Sequence, residues 1–167
     1  RTFKDELISP ETLKKYLDKK ESEELSEEKR DLMNRLSDLH RVYVKYQQFW
    51  SAKSVIDFND IVVEVITLLK TKPLIQQKIQ KKYKHILVDE FQDNNYAQLE
   101  IVKLISNGID VTAVGDDDQS IFRFQGAYMK NFNDFKKYFT NTKVINLDQN
   151  YRSTQNIVNL SNSIVSN

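Results

Sequence analysis

The chain has 167 residues, of which 40% are hydrophobic and 29% are charged, an ordinary balance for a globular chain with a hydrophobic core. The formal net charge is +1, so the overall charge neither favours nor excludes a polyanionic partner. The absence of cysteine excludes disulfides, thiolate metal sites and a cysteine nucleophile, and no apolar run approaches the ~18 residues that span a bilayer. The chain opens on Arg1 rather than methionine, which suggests a fragment.

The first third of the chain is predicted to be helical. Ser9-Pro10-Glu11 is a helix start, with a cap residue, a proline at the first helical position and an acid in the first turn. Ser26 begins a second start signal. After it, apolar residues recur at spacings of three and four, which predicts one helical face buried against a neighbouring helix. These residues are Leu32, Leu36, Leu39, Tyr43, Tyr46 and Trp50.

Two helical segments are predicted before the first strand. Asp57-Phe58-Asn59-Asp60 opens an apolar stretch that is expected to be helical to about Lys70. From Lys70 to Lys84 there are six lysines and no acid. We favour a solvated helix face that begins at Pro73, and a strip that contacts phosphates is the alternative.

The second half of the chain alternates short apolar runs with helical patterns. This alternation predicts an α/β fold with a parallel sheet that is covered on both faces. Functional residues in such sheets lie beyond the carboxyl ends of the strands, where Asp89, Asp116 and Asp148 are expected. The predicted strands are 85–89, 110–115 and 143–147, and the predicted helices are 97–105, 129–139 and 154–165.

An acidic pair leaves the first of these strands, in "ILVDEFQD" at 86–93. Asp89 could hold Mg²⁺, because that ion demands oxygen ligands and keeps several waters. Glu90 could then orient or deprotonate an attacking water. Two acids at a strand end are also common in solvated loops, so the pair alone does not decide between a site and a loop.

Two further clusters carry polar and aromatic side chains. In "VGDDDQSIFRFQGA" at 114–127, Gln119 could hydrogen-bond a phosphate or a water. Phe122 and Phe124 flank Arg123, a pattern that suits single-stranded nucleic acid, although both rings could instead belong to the core. In "LDQNYRST" at 147–154, Tyr151-Arg152 offers a stacking ring and a phosphate-binding fork, or only a surface pair.

The order and spacing of these motifs resemble a known family. "VDEFQD", "VGDDDQSIFRFQGA" and "LDQNYRST" follow one another at intervals of about 30 residues, and "DFNDIV" at 57–62 precedes them by a similar interval. Together they resemble the UvrD/Rep/PcrA-like superfamily 1 DNA helicases over residues 57–167. The resemblance implies part of a RecA-like P-loop NTPase sheet at 57–148, with an all-helical insertion at 1–56 and the start of a second motor domain at 149–167.

The resemblance also implies roles for individual residues. Asp89 would coordinate the Mg²⁺ of bound ATP, Glu90 would activate the hydrolytic water, and Gln119 would sense the γ-phosphate. Tyr151 would stack on adenine and Arg152 would reach the γ-phosphate. The side chains expected beside single-stranded DNA are Phe58, Phe122, Arg123 and Phe124. Gln125 stands where many relatives have arginine, which removes one positive contact.

The resemblance predicts an ATP-dependent DNA helicase of the bacterial cytoplasm that moves 3′ to 5′, binds single-stranded and duplex DNA and needs no membrane. A nucleotide motor needs a G-x-x-x-x-G-K-[ST] loop, and this sequence contains none. The family places that loop earlier, so we expect it upstream of Arg1 and expect the isolated 167-residue chain to be inactive. Two alternatives stay open: a RecB- or AddA-like helicase–nuclease, and a non-catalytic module that binds single-stranded nucleic acid.

Overall fold

The computed structural model describes residues 2–21, 26–119 and 131–165. Within these ranges the chain is mostly helical, with one small parallel sheet. Short 3₁₀ turns follow each strand, at Phe91–Asp93 and Asp117–Gln119. The helices and strands are α1 (Thr2–Asp5), α2 (Pro10–Glu21), α3 (Glu27–Ala52), α4 (Phe58–Thr71), α5 (Pro73–Lys82), β1 (His85–Val88), α6 (Tyr96–Ile105), β2 (Asp110–Ala113), α7 (Asn131–Tyr138) and α8 (Gln155–Val165).

The predicted helix starts are confirmed. Helices α2 and α5 begin at Pro10 and Pro73, the position where the missing N–H of proline costs no hydrogen bond. Asp57 caps α4 by accepting a hydrogen bond from the backbone N–H of Asp60. Ser26 precedes α3 in an extended conformation, but its side chain makes no capping hydrogen bond.

Helix α3 buries its predicted apolar face only in part. It packs against α2, and Phe3 of α1 stacks on Tyr43 with 5.6 Å between the ring centroids. Leu36, Tyr43 and Trp50 are half-buried, whereas Leu32 and Leu39 remain exposed. The prediction that the whole face is buried was therefore wrong, because one short neighbouring helix covers only part of a 26-residue helix.

Strands β1 and β2 form a parallel pair, as predicted. His85 lies opposite Asp110 and Val88 lies opposite Ala113, and α6 makes the connection between the two strands. Parallel strands require a crossover of this kind, since a tight turn can join only antiparallel neighbours. The pairing brings the carboxyl ends of both strands to one edge.

The core lies on one face of the sheet. Phe91, Leu99 and Phe135 are almost fully buried, and each contributes roughly 1.5–3 kcal/mol by leaving water. Leu87 on the opposite face is 78% exposed. The expectation of a sheet covered on both faces was wrong for the described part of the chain, because the core packs on only one face of this strand pair.

The predicted third strand at 143–147 is not present. These residues are irregular, and Val144, Ile145 and Leu147 are 58%, 70% and 85% exposed. A strand needs a partner for its backbone hydrogen bonds, and in the described ranges only β1 and β2 pair. Asp148 consequently does not follow a strand. The described chain is a helix-rich α/β structure with two parallel strands, and the larger RecA-like sheet stays a prediction.

Candidate active site

The chain turns back onto the sheet directly after β1. The backbone N–H of Val114 donates to the carbonyl of Val88 at 2.8 Å, and the N–H of Phe91 donates to the carbonyl of Val114 at 2.9 Å. Between them Glu90 adopts a left-handed conformation, with φ 48° and ψ 46°. That conformation costs a non-glycine residue roughly 1–3 kcal/mol, and such residues cluster at functional sites. The turn leaves the side chains of Asp89 and Glu90 exposed at the sheet edge.

Gln92 joins this turn to the loop after β2. Its side chain is 3% exposed. Nε2 donates to Glu90 Oε2 at 2.8 Å, and Oε1 accepts from the backbone N–H of Asp116 at 3.1 Å. Both ends of a buried amide are thereby satisfied, which fixes the orientation of the Glu90 carboxylate relative to the second loop. Gln92 was not among the residues predicted from the sequence, although its position two residues after Glu90 was a usable signal.

Gly115 allows the side chain of Gln92 to lie close to the loop after β2. A Cβ atom at residue 115 would lie 2.5 Å from Gln92 Oε1 and 3.0 Å from the backbone nitrogen of Phe91. Real Cβ atoms do not approach other atoms so closely, so a side chain here would displace the bridging amide. Residue 115 is therefore glycine because of the space that Gln92 occupies.

Gln119 lies in the same hydrogen-bonded group. Its Nε2 donates to Asp116 Oδ2 at 2.8 Å, while Asp116 Oδ1 accepts from the backbone N–H of Asp118 at 3.1 Å. A continuous series of contacts thus runs from Glu90 through Gln92 and Asp116 to Gln119. The structure brings together Asp89, Glu90 and Gln119, three of the predicted site residues.

The acidic pair has the donor set of a nucleotide-associated magnesium site. Asp89 Oδ1 accepts the N–H of Glu90 at 2.9 Å, and the carboxylate is exposed. Across the described segments no group of three or more potential metal ligands is present. Mg²⁺ in nucleotide sites is commonly held by one or two carboxylates, with phosphate and water oxygens completing its shell. Two adjacent exposed carboxylates are a donor set that can serve such a site, and the magnesium role of Asp89 stays a prediction.

Tyr151 and Arg152 are held by a separate local turn. Asn150 Oδ1 accepts from the backbone N–H groups of Arg152 and Ser153, each at 2.9 Å, which forms a turn before α8. The Tyr151 side chain is 89% exposed and Arg152 is also exposed. No hydrogen bond or ion pair in the described part of the chain joins either side chain to Asp89 or Glu90, so their nucleotide roles stay predictions.

Phe58 is the one predicted DNA-contacting residue in the described segments; Phe122, Arg123 and Phe124 lie outside them, as does Gln125. Phe58 is the first residue of α4, and its side chain is 88% exposed. The start of α4 holds it rigidly, because the side chains of Asp57 and Asp60 each accept the other residue's backbone N–H.

A buried lysine reinforces this helix start. Lys4 Nζ lies 2.6 Å from Asp57 Oδ2 and 2.6 Å from Asp60 Oδ1, and the lysine is 5% exposed. The hydroxyl of Tyr46 also donates to Asp57 Oδ2, at 2.7 Å. Burial by itself would raise the pKa of Asp57, but the hydrogen bonds from Lys4, Tyr46 and the Asp60 N–H outweigh it and hold that pKa well below its usual range.

The lysines of α5 form a solvated face. Ile75, Gln76, Ile79 and Gln80 are half-buried, and the two glutamines donate to the carbonyl of Leu104 in α6. The lysines of the 70–84 segment are exposed, and Lys70 pairs with Glu100 at 2.9 Å. The prediction of a solvated helix face that begins at Pro73 is therefore confirmed. Contact of these lysines with phosphates stays an untested alternative.

The sequence of the chain matches a known protein family. The UvrD/REP helicase N-terminal domain family matches residues 1–140. The chain belongs to the UvrD/REP helicase family. The resemblance inferred from the motifs is thus confirmed. No helix in the described segments of this family member is both long enough and apolar enough to cross a membrane.

Several bacterial proteins are similar to this UvrD/REP family member over most of its length. ATP-dependent DNA helicase UvrD1 of Mycobacterium tuberculosis is 38% identical over 84% of the chain, and DNA helicase II of Haemophilus influenzae is 36% identical over 98%. ATP-dependent DNA helicase PcrA of Staphylococcus epidermidis is 38% identical over 81%. The matched region is about one fifth of each relative, 19%, 20% and 19% of their lengths.

Proposed function

We propose that this chain is part of an ATP-dependent DNA helicase that moves 3′ to 5′ on single-stranded DNA and unwinds the duplex. Membership of the UvrD/REP family and the names of the bacterial relatives support this function. The observation that carries it is the hydrogen-bonded series from Glu90 through Gln92 to Asp116 and Gln119. Such a series suits ATP hydrolysis, because it ties the acidic pair to the residue that would sense the phosphate. In this proposal the protein acts in the bacterial cytoplasm, and the bacterial origin of the matched relatives supports this.

In this proposal the chemistry of ATP hydrolysis depends on Glu90. Its carboxylate accepts one hydrogen bond from Gln92 and is otherwise exposed, so it can orient and deprotonate a water. Asp89 would hold Mg²⁺, which neutralises charge on the phosphates. Gln119 would hydrogen-bond the γ-phosphate or the attacking water. When the phosphate leaves, Gln119 would shift, and its hydrogen bond to Asp116 would transmit that shift to Gln92.

Tyr151 and Arg152 would complete the nucleotide site when the two motor domains close. The exposed ring of Tyr151 would stack on adenine, and the guanidinium of Arg152 would meet charge that develops on the γ-phosphate. An arginine in that role accelerates phosphoryl transfer by roughly 10³–10⁵. Both residues precede α8, which in this proposal begins the second motor domain at 149–167, after the first at 57–148 and its helical insertion at 1–56.

Single-stranded DNA would pass over exposed aromatic rings. Phe58 supports this, because an 88% exposed phenylalanine on a rigid helix start offers a flat apolar face to a base. Phe122, Arg123 and Phe124 are proposed for the same path on sequence grounds. Stacking of a base on an aromatic ring contributes roughly 1–3 kcal/mol and tolerates any base.

The function is tested by ATP hydrolysis in the complete protein that contains this chain. We expect single-stranded DNA to stimulate hydrolysis. We expect Glu90→Gln to lower hydrolysis by about 10²–10⁴-fold, although its side-chain oxygen can still accept the Gln92 hydrogen bond. Glu64→Gln is the matched control, since Glu64 is an exposed residue of α4 and has no role in the proposed site. The isolated 167-residue chain is expected to be inactive, because its sequence has no G-x-x-x-x-G-K-[ST] loop. Tight DNA binding by the complete protein without hydrolysis would favour the non-catalytic binding module.

A further inference from the structure

Helix α1 contacts the starts of two other helices. Although it has only four residues, Thr2–Asp5, it packs against both α4 and α6. The polar contacts to these helix starts come from adjacent side chains, Lys4 and Asp5, which are 5% and 3% exposed. Neither residue belongs to the motifs that predicted the nucleotide or DNA site.

Lys4 holds the start of α4. Its ammonium group lies between the carboxylates of Asp57 and Asp60, at 2.6 Å from each, and 5.0 Å from the centroid of the Tyr46 ring. An ammonium group is buried at tolerable cost only when charge and hydrogen bonds compensate it, as they do here. The two aspartates are also the residues that cap α4. Lys4 therefore fixes the segment that presents Phe58.

Asp5 connects α4 to α6. Its Oδ1 accepts from Asn59 Nδ2 at 2.6 Å and from Asn95 Nδ2 at 2.9 Å. A carboxylate can only accept, so both asparagines must present their NH₂ groups to it, and both bonds are of the stronger, charge-assisted kind. The partners are distant in sequence, 54 and 90 residues from Asp5.

The two asparagines lie beside the two candidate binding regions. Asn59 directly follows Phe58. Asn95 caps α6 and ends the segment that starts at Glu90, within which the side chain of Asn94 donates to the carbonyl of Phe91 at 3.2 Å. Through Asp5, the DNA-facing helix start and the nucleotide-facing turn therefore share one buried polar contact.

We propose that Asp5, next to Lys4 on α1, is a positioning residue that couples DNA binding at Phe58 to nucleotide binding at the Asp89–Asp93 turn. Coupling between distant sites is carried by hydrogen-bond networks and rigid elements, and α1 supplies both. This route is separate from the one through Gln119. The inference rests on the proposed helicase function, and it adds a residue whose contribution lies in the communication between the two sites.

The coupling has a direct readout. If nucleotide changes DNA affinity by some factor, DNA changes nucleotide affinity by the same factor. The measurement is the dissociation constant of a labelled oligo-dT strand for the complete protein, with and without Mg²⁺ and a non-hydrolysable ATP analogue. The ratio of the two constants is the coupling factor. ATP hydrolysis without DNA is measured beside it.

Asn95→Ser isolates the contact. Serine still caps a helix well, but it has no NH₂ group for Asp5. We expect the coupling factor to fall at least about fivefold, the lower end of typical coupling, while hydrolysis without DNA is retained. Asp5→Asn, which keeps the shape and removes the charge, is the second variant and is expected to act in the same direction. Ile66→Val in α4 is the control, because it lowers stability at a 4% exposed core position and leaves the hydrogen bonds of Asp5 unchanged.

The coupling factor tests the positioning role, and ATP hydrolysis by the wild-type protein tests the proposed function. A normal coupling factor in both Asn95→Ser and Asp5→Asn, or an equal loss in Ile66→Val, would overturn the positioning role. A wild-type protein that binds DNA and hydrolyses no ATP would overturn the proposed function, and this inference with it. Loss of coupling in Asn95→Ser and Asp5→Asn, but not in Ile66→Val, establishes the role of Asp5.

Discussion

Gln92 holds the carboxylate of Glu90 from a buried position, with 2.8 Å between Gln92 Nε2 and Glu90 Oε2. The same amide accepts the backbone N–H of Asp116 from the neighbouring loop. One side chain therefore sets the geometry of both loops at the carboxyl edge of the sheet.

Replacing Gln92 by alanine is expected to impair both stability and catalysis. The Asp116 N–H loses its acceptor, and loss of one such hydrogen bond costs about 0.5–1.5 kcal/mol. Glu90 loses the bond that orients it, so hydrolysis falls, but by less than the 10²–10⁴-fold expected for Glu90→Gln. Chemical denaturation and ATP hydrolysis measure the two effects. Full activity in Gln92→Ala would mean that Glu90 does not depend on this amide.

Gly115→Ala is expected to disturb the same site by steric overlap. The new methyl group would lie 2.5 Å from Gln92 Oε1, and overpacking of this kind typically costs 1–3 kcal/mol. Gly108→Ala is the control. Its φ of 76° makes alanine strained there as well, but nothing lies within 4 Å of the added atom. Both variants are expected to lose stability, and Gly115→Ala alone is expected to lose hydrolysis in the complete protein.

The contacts of Lys4 predict how stability depends on pH. The pKa of Asp57 is lowered in the folded chain, so its contribution is present above the unfolded value of about 4 and is lost as the pH falls below it. Burial would lower the pKa of Lys4, but its hydrogen bonds to Asp57 and Asp60 raise it. The Lys4 contribution is therefore present below about pH 10 and lost above it.

Unfolding free energies measured from pH 3 to 7 test the predicted contribution of Asp57. The wild-type chain is expected to lose stability below about pH 4, and Asp57→Asn is expected to show a shallower loss because asparagine does not titrate. Asp18→Asn is the control, since Asp18 lies on α2 without such contacts to Lys4. An identical slope in Asp57→Asn and the wild type would contradict this prediction.

Phe58→Ala is expected to weaken DNA binding without changing stability. The side chain is 88% exposed, so its removal leaves no cavity. Loss of one stacked base corresponds to roughly 1–3 kcal/mol of binding free energy. Fluorescence titration of the complete protein with oligo-dT measures it. Leu74→Ala is the matched control, being 74% exposed on α5, and equal losses in both variants would argue against a specific role for Phe58.

Local signals were sufficient for the helices and for part of the site. Pro10, Asp57 and Pro73 act on the residues next to them, so their helix starts could be predicted from short stretches. The same holds for Asp89 and Glu90, because an apolar run followed by acids marks the end of a strand. Family membership also followed from the motifs, since their order and spacing are properties of the sequence alone.

Tertiary structure decided everything that depends on residues far apart in the chain. Residues 143–147 have the composition of a strand, yet they are irregular because strand formation requires a hydrogen-bonding partner. Gln92 acquires its role only when β2 brings Asp116 beside it. Asp5 meets Asn95 across 90 residues of sequence. The sequence by itself therefore determined the helices, the acidic turn and the family, because these depend on near neighbours and motif order. The fold alone decided which buried polar groups share hydrogen bonds, because a buried donor or acceptor is satisfied by whatever the packing brings within 3 Å or so of it.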